Sequence, residues 1–200
     1  MQKMIWAGLL AICFGVNPSY AERWSQDEKK SLLMASDYLN TIKTAQARFT
    51  QIADDGSYAE GNLYIDRPGK ARFDYDSGKL SLIADGMWFA IWDKELEYVN
   101  RLPLWDSPMA VLLEENVDLI TPHKHLSIKS VVHTQGVIRI TVYDRDAPEL
   151  GELMLIFEDQ PMILRQWVTI DATGQTTTVS LSKLEIGIEL KHGLFRVPNI

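Results

Sequence analysis

Between Gly61 and Pro103 the chain runs GNLYIDRPGKARFDYDSGKLSLIADGMWFAIWDKELEYVNRLP, short apolar runs divided by turn-forming groups. The dividers are Arg67-Pro68-Gly69-Lys70, Asp76-Ser77-Gly78-Lys79, Asp85-Gly86 and Asp93-Lys94-Glu95. This punctuation predicts a meander of antiparallel strands. Phe73 and Tyr75 share one face of their strand; further on, Met87, Phe89 and Ile91 share a face while Trp88 and Trp92 take the other. A sheet with one wet face alternates apolar and polar residues, yet Met87 to Trp92 is apolar on both. Either another layer packs on each side, or one side lines an apolar cavity.

Before the meander, Ser25-Gln26-Asp27-Glu28 is a capping box, in which the serine accepts from the helix start and the glutamate reaches back. Leu32, Leu33, Ala35, Tyr38, Leu39 and Ile42 follow at helical spacing, predicting an amphipathic helix from Gln26 to Thr41 that covers the sheet. Ala47–Ile52 reads as the first strand and Tyr58–Arg67 as the second, with Leu63, Ile65 and Arg67 on one face. Arg67 therefore ends an apolar face, just before a proline that keeps it extended. Two readings stand for it: a solvated rim charge, or a cation whose guanidinium fork reaches carbonyls at a helix end across a cavity mouth.

After the meander, Ser107-Pro108 is a helix start, and Met109, Val111, Leu112 and Leu113 make a short apolar helix ending near Glu115. Five more strands are predicted at Leu126–His133, Val137–Tyr143, Glu152–Glu158, Ile163–Ile170 and Thr176–Leu184, with Ile186–Leu190 a candidate continuation past Gly187. The total is about 11 strands with one long and one short helix. A sheet that long curls, and helices then fill its concave side. The fold class is mainly β (α+β), in one domain.

The N-terminus adds a destination. Lys3, an apolar stretch from Met4 to Val16 and Ser19-Tyr20-Ala21 predict a secretory signal peptide over residues 1–21, leaving 22–200 as the mature domain. Cys13, the chain's one cysteine, lies inside that apolar stretch behind Ile12, where a lipid-modified cysteine would need a small residue. The mature chain is then thiol-free and not lipid-anchored, which suits the periplasm. Without Lys3 it carries 19 basic against 27 acidic residues, a net charge of −8. No basic stripe stands out, which argues against nucleic acid and anionic membrane as partners.

Catalytic motifs are missing: there is no phosphate loop, no Gly-x-Ser-x-Gly and no His-Glu-x-x-His. His123 and His125 are spaced for one face of a strand but have no third ligand nearby, so no metal is expected; His133 and His192 are isolated. No cofactor is implied, and the chain does not read as an enzyme. The apolar excess is the better clue. Phe73, Met87, Trp88, Phe89, Trp92, Trp105, Met109 and Leu112 suit a plain core, and equally the mostly apolar pocket that an acyl chain requires.

Phe49-Thr50-Gln51, Gly61-x-Leu63, Arg67-Pro68, Asp85-Gly86 and the tryptophan-rich strand that follows resemble, in order and spacing, the LolA family of periplasmic lipoprotein carriers. The likeness runs from the first helix through Leu113 and returns at Phe195-x-Val197-Pro198. It implies an incomplete antiparallel β-barrel with a helical lid over an apolar cavity. The arginine of the family's Arg-Pro pair latches that lid, which assigns the role to Arg67. The implied acyl-cavity lining is Leu63, Ile65, Phe73, Tyr75, Met87, Trp88, Phe89, Ile91, Trp92, Met109 and Leu112. Ala71 stands where some members have a cavity aromatic, and some continue beyond Pro198 in an extension that guides release. The implied role is to accept lipoproteins from an inner-membrane ABC transporter and pass them to an outer-membrane receptor, as a monomer. A sensor or interaction module on the same scaffold, regulating envelope stress, is the alternative; a lipid-directed enzyme is the remote one.

Overall fold

The computed structural model describes residues 23–122 and 125–198. The predicted signal peptide lies outside the described residues, as does His123. The order is α1 (Gln26–Thr41), β1 (Thr44–Ala53), β2 (Tyr58–Asp66), β3 (Lys70–Tyr75), β4 (Leu80–Asp85), β5 (Trp88–Asp93) and β6 (Tyr98–Pro103). Two 3-10 turns, Leu104–Asp106 and Pro108–Leu113, lead on to β7 (Leu126–Thr134), β8 (Val137–Asp144), β9 (Glu152–Asp159), β10 (Met162–Ile170) and β11 (Thr176–Ile186). The predicted short apolar helix is the 3-10 segment Pro108–Leu113, with Ser107 as its N-cap, too brief to settle into α geometry. The last strand stops at Ile186, because Gly187 takes φ +76° and turns the chain away.

All eleven strands form one antiparallel sheet in the order β6-β5-β4-β3-β2-β1-β11-β10-β9-β8-β7. Each half is a meander of neighbours in sequence, and the β1–β11 pairing joins the halves. The sheet does not close, so β6 and β7 are its edges. Register shifts between Gln46 and Arg48, between Leu164 and Gln166 and between Ile128 and Ser130 add local twist that helps it curl. The result is an incomplete barrel with a helical lid.

Inside the curl, α1 lays Leu32, Ala35 and Leu39 on the sheet. Its capping box is formed, Ser25 Oγ accepting from Glu28 N–H and Glu28 accepting from Ser25 N–H. Phe49 anchors the core, edge-on to Phe73 with ring centres 5.4 Å apart and to Tyr75 at 5.2 Å. Gly61 lies where Phe49 needs it. A Cβ there would stand 2.1 Å from the Asp74 carbonyl oxygen and 2.8 Å from the Phe49 ring. Most of the buried apolar residues fall into two clusters, a main core and a small group of Ala71, Ala84, Leu104 and Leu113.

The doubly apolar β5 has a layer on each side. Phe89 faces inward with its register partners Ala84 and Leu102. The outward row crosses Arg72, Ile83, Ala90 and Arg101. Arg72 donates to the Leu194 carbonyl at 2.9 Å and Arg101 to the Pro198 carbonyl at 3.0 Å. The C-terminal tail is thereby strapped across the outside of the sheet, over Ile83 and Ala90, which are wholly buried.

Candidate functional site

Between the two buried clusters is a cavity of about 90 Å³ with an almost wholly apolar lining. Its floor is the inner face of β2 and β3: Leu63, Ile65, Ala71 and Phe73. Phe89 adds to it from β5, and Leu164, Trp167, Leu181 and Leu184 wall it from β10 and β11. The roof is Leu39 and Ile42 at the end of α1, with Leu104, Met109, Leu112 and Leu113 from the 3-10 segment. At the rim is Arg67, 7% exposed although charged.

Arg67 ties both parts of the roof to β2. Its Nε donates to the Glu114 carbonyl at 2.8 Å, and one terminal nitrogen donates to the same oxygen. The other terminal nitrogen donates to the carbonyls of Leu39 and, at 3.2 Å, of Ile42. Helix C-termini leave carbonyls without intrahelical partners, and cations are favoured there. The last turn of α1 has no basic residue of its own, so the guanidinium of Arg67, one residue past the end of β2, fills that role. Its donors are spread as a fork, which a lysine could not reproduce. Burial pushes the Arg67 pKa down from its ordinary value, while the nearby Glu114 carboxylate pushes it up.

Other polar bonds fasten the roof above its apolar underside. Gly69 N–H donates to the Leu113 carbonyl at 2.8 Å. Asn40 and Val117 exchange two bonds, side-chain NH₂ to carbonyl and backbone N–H to side-chain oxygen, each 2.8 Å. Leu119 N–H donates to Ser36 Oγ at 3.0 Å. The Asn40–Val117 and Ser36–Leu119 bonds join α1 to the stretch after the 3-10 segment, and the Gly69–Leu113 bond joins that segment to the β2–β3 turn, so the two halves of the roof are bonded to each other as well as to the sheet. Glu114 lies partly buried among them. Desolvation raises its carboxyl pKa from 4.5 to about 7; Arg67 opposes the rise and Asp118 adds to it.

Of the residues the sequence proposes for the cavity, the structure brings together Leu63, Ile65, Phe73, Phe89, Met109 and Leu112 with Arg67. Five others lie elsewhere. Tyr75 packs on Phe49 and donates its hydroxyl to Gln51 at 2.7 Å, inside the core. Ile91 shares the inner face but sits beyond the cavity, opposite Leu82. Trp88 and Trp92 take the outer face, since a strand turns alternate residues to opposite sides; Trp88 is exposed and Trp92 lies under the Lys94 ammonium, 5.1 Å from the ring centre. Met87 precedes the strand in a turn and is 66% exposed. Sequence reasoning missed the contribution of β10 and β11. Leu164 and Trp167, like Leu181 and Leu184, are three residues apart, which regular alternation would turn to opposite faces. Register shifts in β10 and β11 bring each pair to one face, and nothing local in the sequence shows those shifts or that the strands face β2.

Among the described histidines, His125 Nδ1 lies 2.6 Å from Asp146 and His133 Nε2 lies 2.9 Å from Asp159. His125, Asp144 and Asp146 come within 4.8 Å of one another. One Asp144 oxygen already accepts from the backbone of Asp146 and Ala147. None of these groups lines the cavity.

Compared with known proteins, residues 40–198 match the family model described as outer membrane lipoprotein carrier protein LolA. The outer-membrane lipoprotein carrier protein of Nitrosomonas europaea is 27% identical, over 98% of this chain and 94% of its own. That of Alkalilimnicola ehrlichii is 26% identical, over 96% of this chain and 90% of its own. Among solved structures, a putative outer membrane lipoprotein-sorting protein domain from Vibrio parahaemolyticus superposes with a TM-score of 0.51 at 10% identity, covering 84% of this chain and 97% of that one. This last likeness concerns the fold alone.

Proposed function

Given that the chain belongs to the LolA family of outer membrane lipoprotein carrier proteins, we propose that it is a periplasmic carrier that holds lipoprotein acyl chains in its cavity without altering them chemically. It takes its cargo from an inner-membrane ABC transporter and yields it to an outer-membrane receptor, working as a monomer. The observation that carries this reading is the cavity itself: an apolar space roofed by side chains and fastened by polar bonds at its rim.

Each methylene removed from water is worth about 0.8 kcal/mol, so acyl chains do not cross an aqueous compartment unsheltered. A carrier must also release them. An apolar cavity of about 150 Å³ holds one benzene, so a space of about 90 Å³ is a closed form. Cargo enters only as the roof lifts and the Arg67 bonds break. A roof held by a few hydrogen bonds keeps closed and open forms within a few kcal/mol of each other, which cargo binding can reverse.

The test is native mass spectrometry of the mature protein purified from an envelope extract. Co-purifying triacylated lipoprotein that a detergent wash removes is the expected result. A clean apo mass, with no uptake of a fatty-acid probe, would sink the carrier reading and favour a sensor or interaction module.

A further inference from the structure

We propose that the cross-strand pair Ala71 and Ala84 floors a trough beneath the 104–113 segment, and that this trough sets the length of acyl chain the protein accepts. The inference rests on the carrier reading. Ala71 and Ala84 are direct register partners on the inner face, and the same row continues to Ile65 on one side and Phe89 on the other. The next row inward carries Leu63, Phe73 and Leu82, which project far enough to meet other side chains of the core. Two methyl groups cannot do that. The space above them is filled by Leu113, which belongs to the roof, and by Leu104, which follows β6 and is tied to the sheet by its N–H to the Met87 carbonyl at 3.0 Å.

The cavity is walled differently at its two ends. At one, the Phe73 ring meets Trp167 edge-on at 6.1 Å and is backed by Phe49 at 5.4 Å, a wall made by the sheet and fixed with it. At the other, the wall is Leu104 and Leu113. The backbone holding Leu113 is pinned by Gly69 N–H, and the carbonyl of the next residue by Arg67. The bonds that fasten the roof thus also hold the plug. Lifting the roof withdraws Leu113 and leaves, beside the fixed Leu104, a channel floored by methyls and bounded by Ile65 and Phe89 that continues the cavity. Ala71, Ala84, Leu104 and Leu113 present no polar side-chain atom, so an extended saturated hydrocarbon is the ligand class that fits.

The experiment measures how octanoic, dodecanoic and hexadecanoic acids displace a dansylated fatty acid from the mature protein. The parent should bind hexadecanoic acid most tightly. Ala71→Phe should weaken hexadecanoic acid at least about tenfold and octanoic acid less than about twofold, because only the longer chain needs the trough. Leu104→Ala, which enlarges the trough, should move hexadecanoic acid the other way. Should the phenylalanine variant fail to fold, Ala71→Val and Leu104→Ala still give opposite signs. If folded variants leave the chain-length profile unchanged, or weaken all three acids alike, the trough is wrong while the carrier reading stands. If the parent binds none of the acids, both fall.

Discussion

Arg67 and Glu114 meet twice: the guanidinium grips the Glu114 carbonyl, 2.8 Å from Nε, while the Glu114 carboxyl beside it is partly desolvated. The same cation caps the end of α1 through Leu39 and Ile42. One side chain therefore joins the sheet, the helix and the 3-10 segment at the rim of the cavity.

Replacing Arg67 by leucine should leave a folded protein, because the apolar core of Phe49, Leu63 and Phe73 does not depend on it. The lost bonds orphan carbonyls that water reaches once the roof is loose, so the cost falls on closure; each such bond to a charged donor is worth about 1.5–3 kcal/mol. Arg67→Leu should take up a fatty-acid probe and hand lipoprotein to acceptor membranes poorly. Arg67→Lys, with one point charge in place of a fork, should fall between. Normal handover by the leucine variant in a reconstituted transfer assay would remove the latch.

The Glu114 carboxyl should make stability depend on pH. Its pKa in the folded protein, about 7, lies above its ordinary 4.5, so the folded form binds the proton more tightly than the unfolded chain. Its favourable contribution is complete below about 4.5 and is lost as pH rises through 7. A partly exposed group is screened by solvent, so the effect is on the order of 1 kcal/mol. The carboxyls held below their ordinary values, Asp74, Asp76 and Glu158 among them, act in the opposite sense and at lower pH. The melting temperature of the parent should fall relative to Glu114→Gln between pH 5 and 8. Parallel curves would exclude Glu114 as the titrating group.

Gly61 is required by contact. Its missing Cβ would stand 2.1 Å from the Asp74 carbonyl oxygen, a backbone atom that cannot swing aside, and against the ring of Phe49. Gly61→Ala must therefore push β2 from β3 next to the anchoring aromatic. A loss of about 1–3 kcal/mol is expected, the range for overpacked cores. Urea denaturation measures it directly. A change under about 0.5 kcal/mol would mean that the strands part here at little cost.

What was legible in the sequence was local. The capping box and the spacing of Leu32, Ala35 and Leu39 fix α1 to Gln26–Thr41, and turn residues divide the strands to within a few positions. Arg67 stood out as a charge ending an apolar face. The cavity was half legible. Leu63, Ile65 and Phe73 lie within one hairpin, so their shared face follows from period two. Trp167 and Leu181 join them only because β1 pairs with β11, a contact across most of the chain that no window of sequence contains. Trp88 and Trp92 misled for a related reason: apolar residues on both faces of β5 do not say which face is covered by what. The cover on the outer face comes from the tail around Leu194, more than a hundred residues later.

That strap supplies the last prediction. Arg72 lies on the outer face of β3, where its Nε donates to Asp74 at 2.8 Å and a terminal nitrogen donates to the Leu194 carbonyl at 2.9 Å. A lysine can keep one of these partners but cannot span both, so Arg72→Lys should retain the ion pair and loosen the tail. Ile83 and Ala90 would then be intermittently exposed, at a cost of about 1.5–3 kcal/mol for the lost bond from a charged donor. Amide hydrogen exchange should quicken across residues 191–198 and at Ile83, while the backbone of α1 and the uptake of a fatty-acid probe stay unchanged, because the strap and the cavity lie on opposite faces of the sheet. Faster exchange in α1 instead would mean that the strap holds the curl of the sheet, and through it the roof. No change at all would mean that the tail is held by its apolar contacts, and that the Arg72 bond merely follows.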